Sequence, residues 1–320
     1  MAETRRLPGI HHVTAITADA QKNVDFYVGV LGLRLVKRTV NFDDPSSYHL
    51  YYGDALGRPG TIMTFFAWPG APRGRVGPPQ VVATSFAVPP AALGYWTERL
   101  KQHGVDVQAA PPRFGDAVIG FADPDGMRLE IVGTDSASAS ASPGGGDNDN
   151  ALRGFHGVTL SEEGYENSAR LLTELMGFRA DGSEGNRFRY RAGGDAASGG
   201  GFASVVDLLC QPDGRHGTLG AGIVHHVAFR TPDDAQQQAW RGEIVRRGFN
   251  VSPVMDRTYF HSIYFREPGG VLFEIATDPP GFTADESPEA LGQKLMLPRA
   301  VEAHRAALEK LLPPLRVPGN

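Results

Sequence analysis

Apolar and polar positions along the 320-residue chain change period in a fixed order: strand-like runs, then helical spacing, then more strand-like runs. The first cycle fills residues 8–67. Residues 10–17 are β-rich, and Val24, Tyr27 and Leu31 lie along one side of a predicted helix over 22–31. Gly32 closes that helix, because glycine accepts the left-handed conformation that often follows one. Runs at 33–40, 48–52 and 61–66 read as strands, rich in β-branched and aromatic residues.

The cycle recurs three times. Residues 80–133 predict a strand at 81–88, a helix at 91–103 closed by Gly104, and strands at 117–121 and 127–132. Residues 153–211 predict a strand at 154–160, a helix at 167–176 closed by Gly177, and strands at 188–192 and 203–209. Residues 222–277 predict a strand at 223–230, a helix at 233–247 closed by Gly248, and strands at 262–265 and 271–276. The second and fourth cycles match best: Ile-Gly-Phe-Ala-Asp-Pro-Asp-Gly-Met-Arg-Leu-Glu-Ile-Val (119–132) against Ile-Tyr-Phe-Arg-Glu-Pro-Gly-Gly-Val-Leu-Phe-Glu-Ile-Ala (263–276). The expected fold is α+β, four βαβββ modules in two pairs. Residues 8–134 carry the first two modules, 135–152 a flexible linker poor in apolar side chains, and 153–280 the last two. A loose hairpin tip is expected at 192–201. A tail at 281–320 is expected to be mostly helical over 287–314, with Leu308, Leu311 and Leu312 on its apolar side and Pro298 and Pro313 as breakers.

Composition mainly excludes. A formal net charge of −5 gives no sign of a nucleic-acid or anionic-membrane partner. No apolar run approaches the ~20 residues of a membrane helix. The single cysteine, Cys210, rules out an intrachain disulfide and fits a cytoplasmic protein.

The candidate chemistry lies at repeat positions. The first strands align His11-His12-Val13, Thr84-Ser85-Phe86, His156-Gly157-Val158 and His225-His226-Val227. The last strands align Thr64, Glu130, Asp207 and Glu274. Neighbouring strand residues face opposite sides, so one histidine of each pair is expected in a cavity and His225 is expected to face away. The first module is expected to pair with the fourth, and the second with the third; the first pairing collects His12, Thr64, His226 and Glu274. Pairing the second with the third collects Ser85, Glu130, Gly157 and Asp207, with no histidine. Two imidazoles and a carboxylate leave three positions open on an octahedral ion, the arrangement of non-haem Fe(II) oxygenases; Mn(II) takes similar ligands, and zinc usually closes at four. A lone histidine on a strand is more often structural, and Glu130 shares the context of Glu274 without a histidine. The coincidence of both pairs at one repeat position favours a metal. His156 is a rival third ligand, should the third and fourth modules pair.

These residues resemble a known family. The four modules, Gly-Ile-His-His-Val-Thr (9–14), Arg-Gly-Phe-His-Gly-Val-Thr-Leu (153–160), His225-His226, Phe273-Glu274 and Leu-Gly-Gln-Lys-Leu-Met-Leu-Pro (291–298) resemble the vicinal oxygen chelate superfamily of glyoxalase I and extradiol dioxygenases. The resemblance is nearer to its hydroquinone-type ring-cleaving dioxygenases. It implies His12, His226 and Glu274 as iron ligands, and substrate or supporting roles for His11, Thr14, His225, Arg257 and Tyr264. The implied reaction opens a small aromatic diol with O₂.

A hydroquinone's hydroxyls are para, so one reaches the metal and the other needs protein; Arg257 and Tyr264 suit that task, and His11 or His225 suits proton movement. The bland alternatives pair Arg257 with Asp256 and bury Tyr264 in the core. Rival functions are a catechol extradiol dioxygenase, a glyoxalase-like isomerase, which would want a second carboxylate at Thr64, and a metal-free module binding aromatic compounds. Exposed sheet edges leave a homo-oligomer open.

Overall fold

The computed structural model describes residues 6–135, 149–193 and 205–317. Most of the expected linker and hairpin tip falls on 136–148 and 194–204, outside the described residues. Each module has the full βαβββ set. The first holds β1 (Ile10–Thr17), α1 (Ala20–Val24) continued by a π-helical turn, β2 (Arg34–Val40), β3 (Tyr48–Gly53) and β4 (Ile62–Ala67). The second holds β5 (Gln80–Val88), α2 (Leu93–Gln102), β6 (Gln108–Arg113), β7 (Asp116–Ala122) and β8 (Arg128–Gly133). The third holds β9 (Phe155–Glu162), α3 (Glu166–Arg170), β10 (Arg179–Glu184), β11 (Arg187–Arg191) and β12 (Val205–Cys210). The fourth holds β13 (Val224–Thr231), α4 (Asp234–Arg246), β14 (Met255–Asp256), β15 (Phe260–Arg266) and β16 (Leu272–Pro280).

Three strands have no counterpart in the hydrophobic pattern. β6 carries two prolines, β10 is exposed throughout, and β14 is two residues long. All three lie at sheet edges, where no buried face demands alternation. The helices start and stop as the sequence predicts. Asp19 and Asp233 cap α1 and α4 by accepting backbone N–H groups, and the four predicted closing glycines all have positive φ.

The strands form two eight-stranded sheets, β14-β15-β16-β13-β1-β4-β3-β2 and β10-β11-β12-β9-β5-β8-β7-β6. The first module therefore joins the fourth across antiparallel β1–β13, and the second joins the third across β5–β9, as expected. Each sheet curls into a half-barrel. One face of the first sheet packs on its helices through residues such as Val13, Phe229, Trp240 and Ile244. The other gathers Tyr51, Ala228, Phe260, Ala276 and Phe282 in a smaller cluster.

Register corrects two expectations. In β1–β13 the pairs His12↔Ala228, Val13↔Val227 and Thr14↔His226 make a local pseudo-twofold, with bulges at His11 and His225. A bulge adds a residue without advancing the pleat, so strict alternation fails there. In β5–β9 the bulges fall at Val82 and His156, and Ser85 pairs with Gly157 as Thr14 pairs with His226. Ala83, not Ser85, therefore stands in the place of His12. The two-residue shift keeps the same face, so periodicity could not reveal it.

Among the described residues, helix in the tail is confined to a short turn at Glu302–His304 running into α5 (Arg305–Leu311), with further turns at Phe282–Ala284 and Pro288–Ala290. Much of the rest is irregular and strapped across β2: Met296 N–H donates to Arg38 O, and fully buried Lys37 donates to Asp285 at 2.5 Å and also to Glu286. Leu308 and Leu312 are buried as expected, but Leu311 is exposed.

Candidate metal centre

His12 lies on β1, His226 on β13 and Glu274 on β16, three adjacent strands of the first sheet. Their ligand atoms form a tight triangle. His12 Nε2 is 3.4 Å from His226 Nε2, and Glu274 Oε2 is 3.2 Å from the first and 2.9 Å from the second. All three side chains are at most 5% exposed. Burial alone would push the Glu274 carboxyl up, but the facing His12 and His226 outweigh it and hold it well below the usual range. Burial lowers His226 against the opposing pull of Glu274.

The supports of the triangle leave those atoms free. His12 Nδ1 is 2.9 Å from His11 Nδ1, and His226 Nδ1 is 2.8 Å from His225 Nδ1. Ser262 Oγ donates to Glu274 Oε1 at 2.5 Å, while Oε2 makes no hydrogen bond of good geometry. The donor set fits a divalent ion. Adjacent positions around an ion with ~2.1 Å bonds lie about 3.0 Å apart in an octahedron and about 3.4 Å in a tetrahedron. His156 is not part of the cluster; it lies in the second sheet, 3.9 Å from Asp116, and burial lowers it to about 4.

The triangle opens on a cavity of about 350 Å³, large enough for a single aromatic ring. Phe66, Trp68, Phe260 and Leu272 give it apolar walls, and Thr14 and His225 line it beside the triangle. His225 therefore does not face away: the bulge turns its ring toward the cavity, 5.5 Å from that of Phe66. Burial lowers His225 to about 3, and lowers His11 well below its usual value. Arg257 and Tyr264 also line the cavity, with Arg257 Nε 3.2 Å from Tyr264 Oη. Arg257 pairs with Asp43 at 3.3 Å rather than with Asp256, whose carboxylate accepts the Thr258 N–H. Tyr264 is half-buried against the ring of His226 and is not a core residue.

Among further polar residues lining the cavity that no motif pointed to, beside Asn41 and Asp43, are His49 and Tyr51. Alternation along Tyr-His-Leu-Tyr-Tyr (48–52) puts them on one face, but the sequence does not reveal which strand lies beside them. In the second sheet the corresponding places are closed. Ala83 and Gly157 replace the histidines, and a Cβ on Gly157 would meet Val205 O at 2.3 Å. Asp207 is held by Arg187 and Arg189, and Glu130 by Arg113 and Ser85.

A family model for the Glyoxalase/Bleomycin resistance protein/Dioxygenase superfamily matches residues 9–131 and 154–275. The chain belongs to that superfamily. Among its relatives is a Bacillus subtilis protein described as "Putative ring-cleaving dioxygenase MhqO", 48% identical and matched over 98% of both chains. The chlorohydroquinone/hydroquinone 1,2-dioxygenase of Sphingobium indicum is 38% identical over 93% of both. A crystal structure of a "putative dioxygenase" from Bacillus subtilis superposes with a TM-score of 0.92 at 48% identity, over 98% of this chain and 99% of that one. Glyoxalase I of Zea mays shares the fold at 14% identity, with a TM-score of 0.63 over 84% of this chain and 92% of that one. Within the superfamily the chain is a ring-cleaving dioxygenase, as full-length identity of this order to such enzymes indicates. No helix among the described residues is long and apolar enough to cross a membrane.

Proposed function

We propose that this dioxygenase uses Fe(II) held by His12, His226 and Glu274 to open the ring of a hydroquinone-type diol with O₂. The observation carrying the reading is the convergence of two Nε2 atoms and one carboxylate oxygen, all buried, with both histidines lining a ring-sized cavity. Three protein donors leave positions for a substrate oxygen and for O₂. Bound there, ferrous iron supplies acidification of a coordinated hydroxyl and a path for electrons between ring and oxygen.

The protein's own part follows from the hydrogen bonds. Ligation through Nε2 keeps the protons of His12 and His226 on Nδ1, where they are donated to Nδ1 of His11 and His225. His225 then carries its own proton on Nε2, as a neutral donor beside the substrate. Arg257 and Tyr264 hold the distal hydroxyl, and the apolar walls position the ring and exclude water. Thr64 stands where a second carboxylate would have to stand, which disfavours a glyoxalase-type isomerase. A cytoplasmic location belongs to the same reading, supported by a single cysteine.

Anaerobic reconstitution with Fe(II), followed by O₂ uptake with methyl- and chlorohydroquinones and with catechols, tests it. Uptake with hydroquinones exceeding that with catechols is expected. No uptake with any diol at full iron occupancy rejects the reading.

A further inference from the structure

The pseudo-twofold that relates His12 to His226 also relates two supporting arms. Thr14 pairs with Thr64 as Ala228 pairs with Glu274, so Thr64 is the counterpart of Glu274. Tyr51 pairs with Thr64 as Tyr264 pairs with Glu274. His49 and Ser262 each lie two residues before those tyrosines, on the same face. Ser262 bonds to Glu274 at 2.5 Å, and His49 Nε2 lies 2.6 Å from Thr64 Oγ1. One arm thus presents a carboxylate held by a serine, and the other a hydroxyl held by an imidazole.

Hydrogen bonding gives the second arm a direction. Tyr51 is buried, and its hydroxyl lies 2.9 Å from His49 Nδ1; donating there satisfies its proton. Burial keeps His49 neutral, so a ring accepting at Nδ1 donates from Nε2 to Thr64. The Thr64 proton then points onward to Thr14 Oγ1, 3.4 Å away on the cavity wall. Buried donors fixed in advance are worth more to a developing oxyanion than donors that must reorient.

We propose that His49 is a positioning residue: it fixes the Thr64 hydroxyl, which in turn orients the Thr14 hydroxyl as a donor to the diol oxygen on the side related to Glu274 by the pseudo-twofold. The inference rests on the diol reading above and adds a determinant of substrate binding to it.

The test is binding of methylhydroquinone, without oxygen, to protein loaded with redox-inert Zn(II). His49→Phe keeps ring volume without either nitrogen, His49→Gln keeps an amide donor, and Thr64→Val removes the hydroxyl at constant shape. His49→Phe and Thr64→Val are expected to weaken binding about tenfold at unchanged zinc content, with His49→Gln within about threefold of the parent. Should His49→Phe fail to fold, Thr64→Val and His49→Gln decide the matter. Wild-type affinity in His49→Phe or Thr64→Val overturns the proposal, and so does a loss in His49→Gln as large as in His49→Phe. A parent protein that binds no hydroquinone overturns the substrate assignment and this role together, whereas a parent that binds beside silent variants leaves the function standing and reduces His49 to packing.

Discussion

The Nε2 atoms of His12 and His226 face each other at 3.4 Å, although the two residues are 214 positions apart in the chain. With both Nδ1 protons donated to the neighbouring histidines, as ligation through Nε2 would require, both Nε2 atoms would be bare acceptors, aimed at each other and at a carboxylate. Three lone pairs converging in a buried site are mutually repulsive until a cation joins them.

Removing one corner should therefore remove the ion. His226→Ala is expected to lose stoichiometric iron or manganese by elemental analysis. The parent should lose about 2.7 kcal/mol of apparent stability on chelation from a metal concentration of 100 Kd, and the variant almost none. Equal chelator sensitivity in the two proteins contradicts the ligand assignment.

Arg257 should act on the distal hydroxyl. Arg257→Met is expected to raise KM for a hydroquinone by about ten- to a hundredfold, a loss of roughly 1.5–3 kcal/mol for a charge-assisted hydrogen bond. Tyr264→Phe should cost less, since Arg257 retains its pairing with Asp43. Steady-state kinetics with and without the second hydroxyl on the ring separates this role from general packing.

Two buried groups away from the centre set the pH range of stability. His156 is lowered to about 4 by burial, so the unfolded chain binds its proton first and stability falls as pH drops from 6.5 toward 4. Glu162 is raised to about 8, by burial and by neighbouring Glu267, so its neutral form favours folding and stability falls as pH rises from 4.5 toward 8. Denaturant titrations across pH should show Glu162→Gln flattening the alkaline side and His156→Phe the acid side. Unchanged slopes in either variant refute the corresponding assignment.

The second half-barrel should resist enlargement at Gly157. Gly157→Ala places a Cβ 2.3 Å from Val205 O and is expected to destabilise the protein by about 1–3 kcal/mol, read from chemical denaturation. A neutral effect would mean that β9 and β12 separate more easily than their pairing implies.

Much of this was present in the sequence by itself. Strand and helix periods, the closing glycines and the match between 119–132 and 263–276 determined four modules, because local sterics and the need to bury one face act over a few residues at a time. The recurrence of His-His at one repeat position, with Glu274 at another, singled out the residues that meet. Tertiary structure decided what depends on long-range pairing. The β1–β13 register placed His12 rather than His156 beside His226, and bulges turned His225 into the cavity and moved Ser85 to the place of Thr14. Pairing of β3 with β4 brought His49 and Tyr51 to the site from a strand whose pattern does not reveal its neighbours. A bulge leaves period two almost intact, and a strand's neighbours are chosen by the whole sheet, so neither is written in any local stretch of the chain.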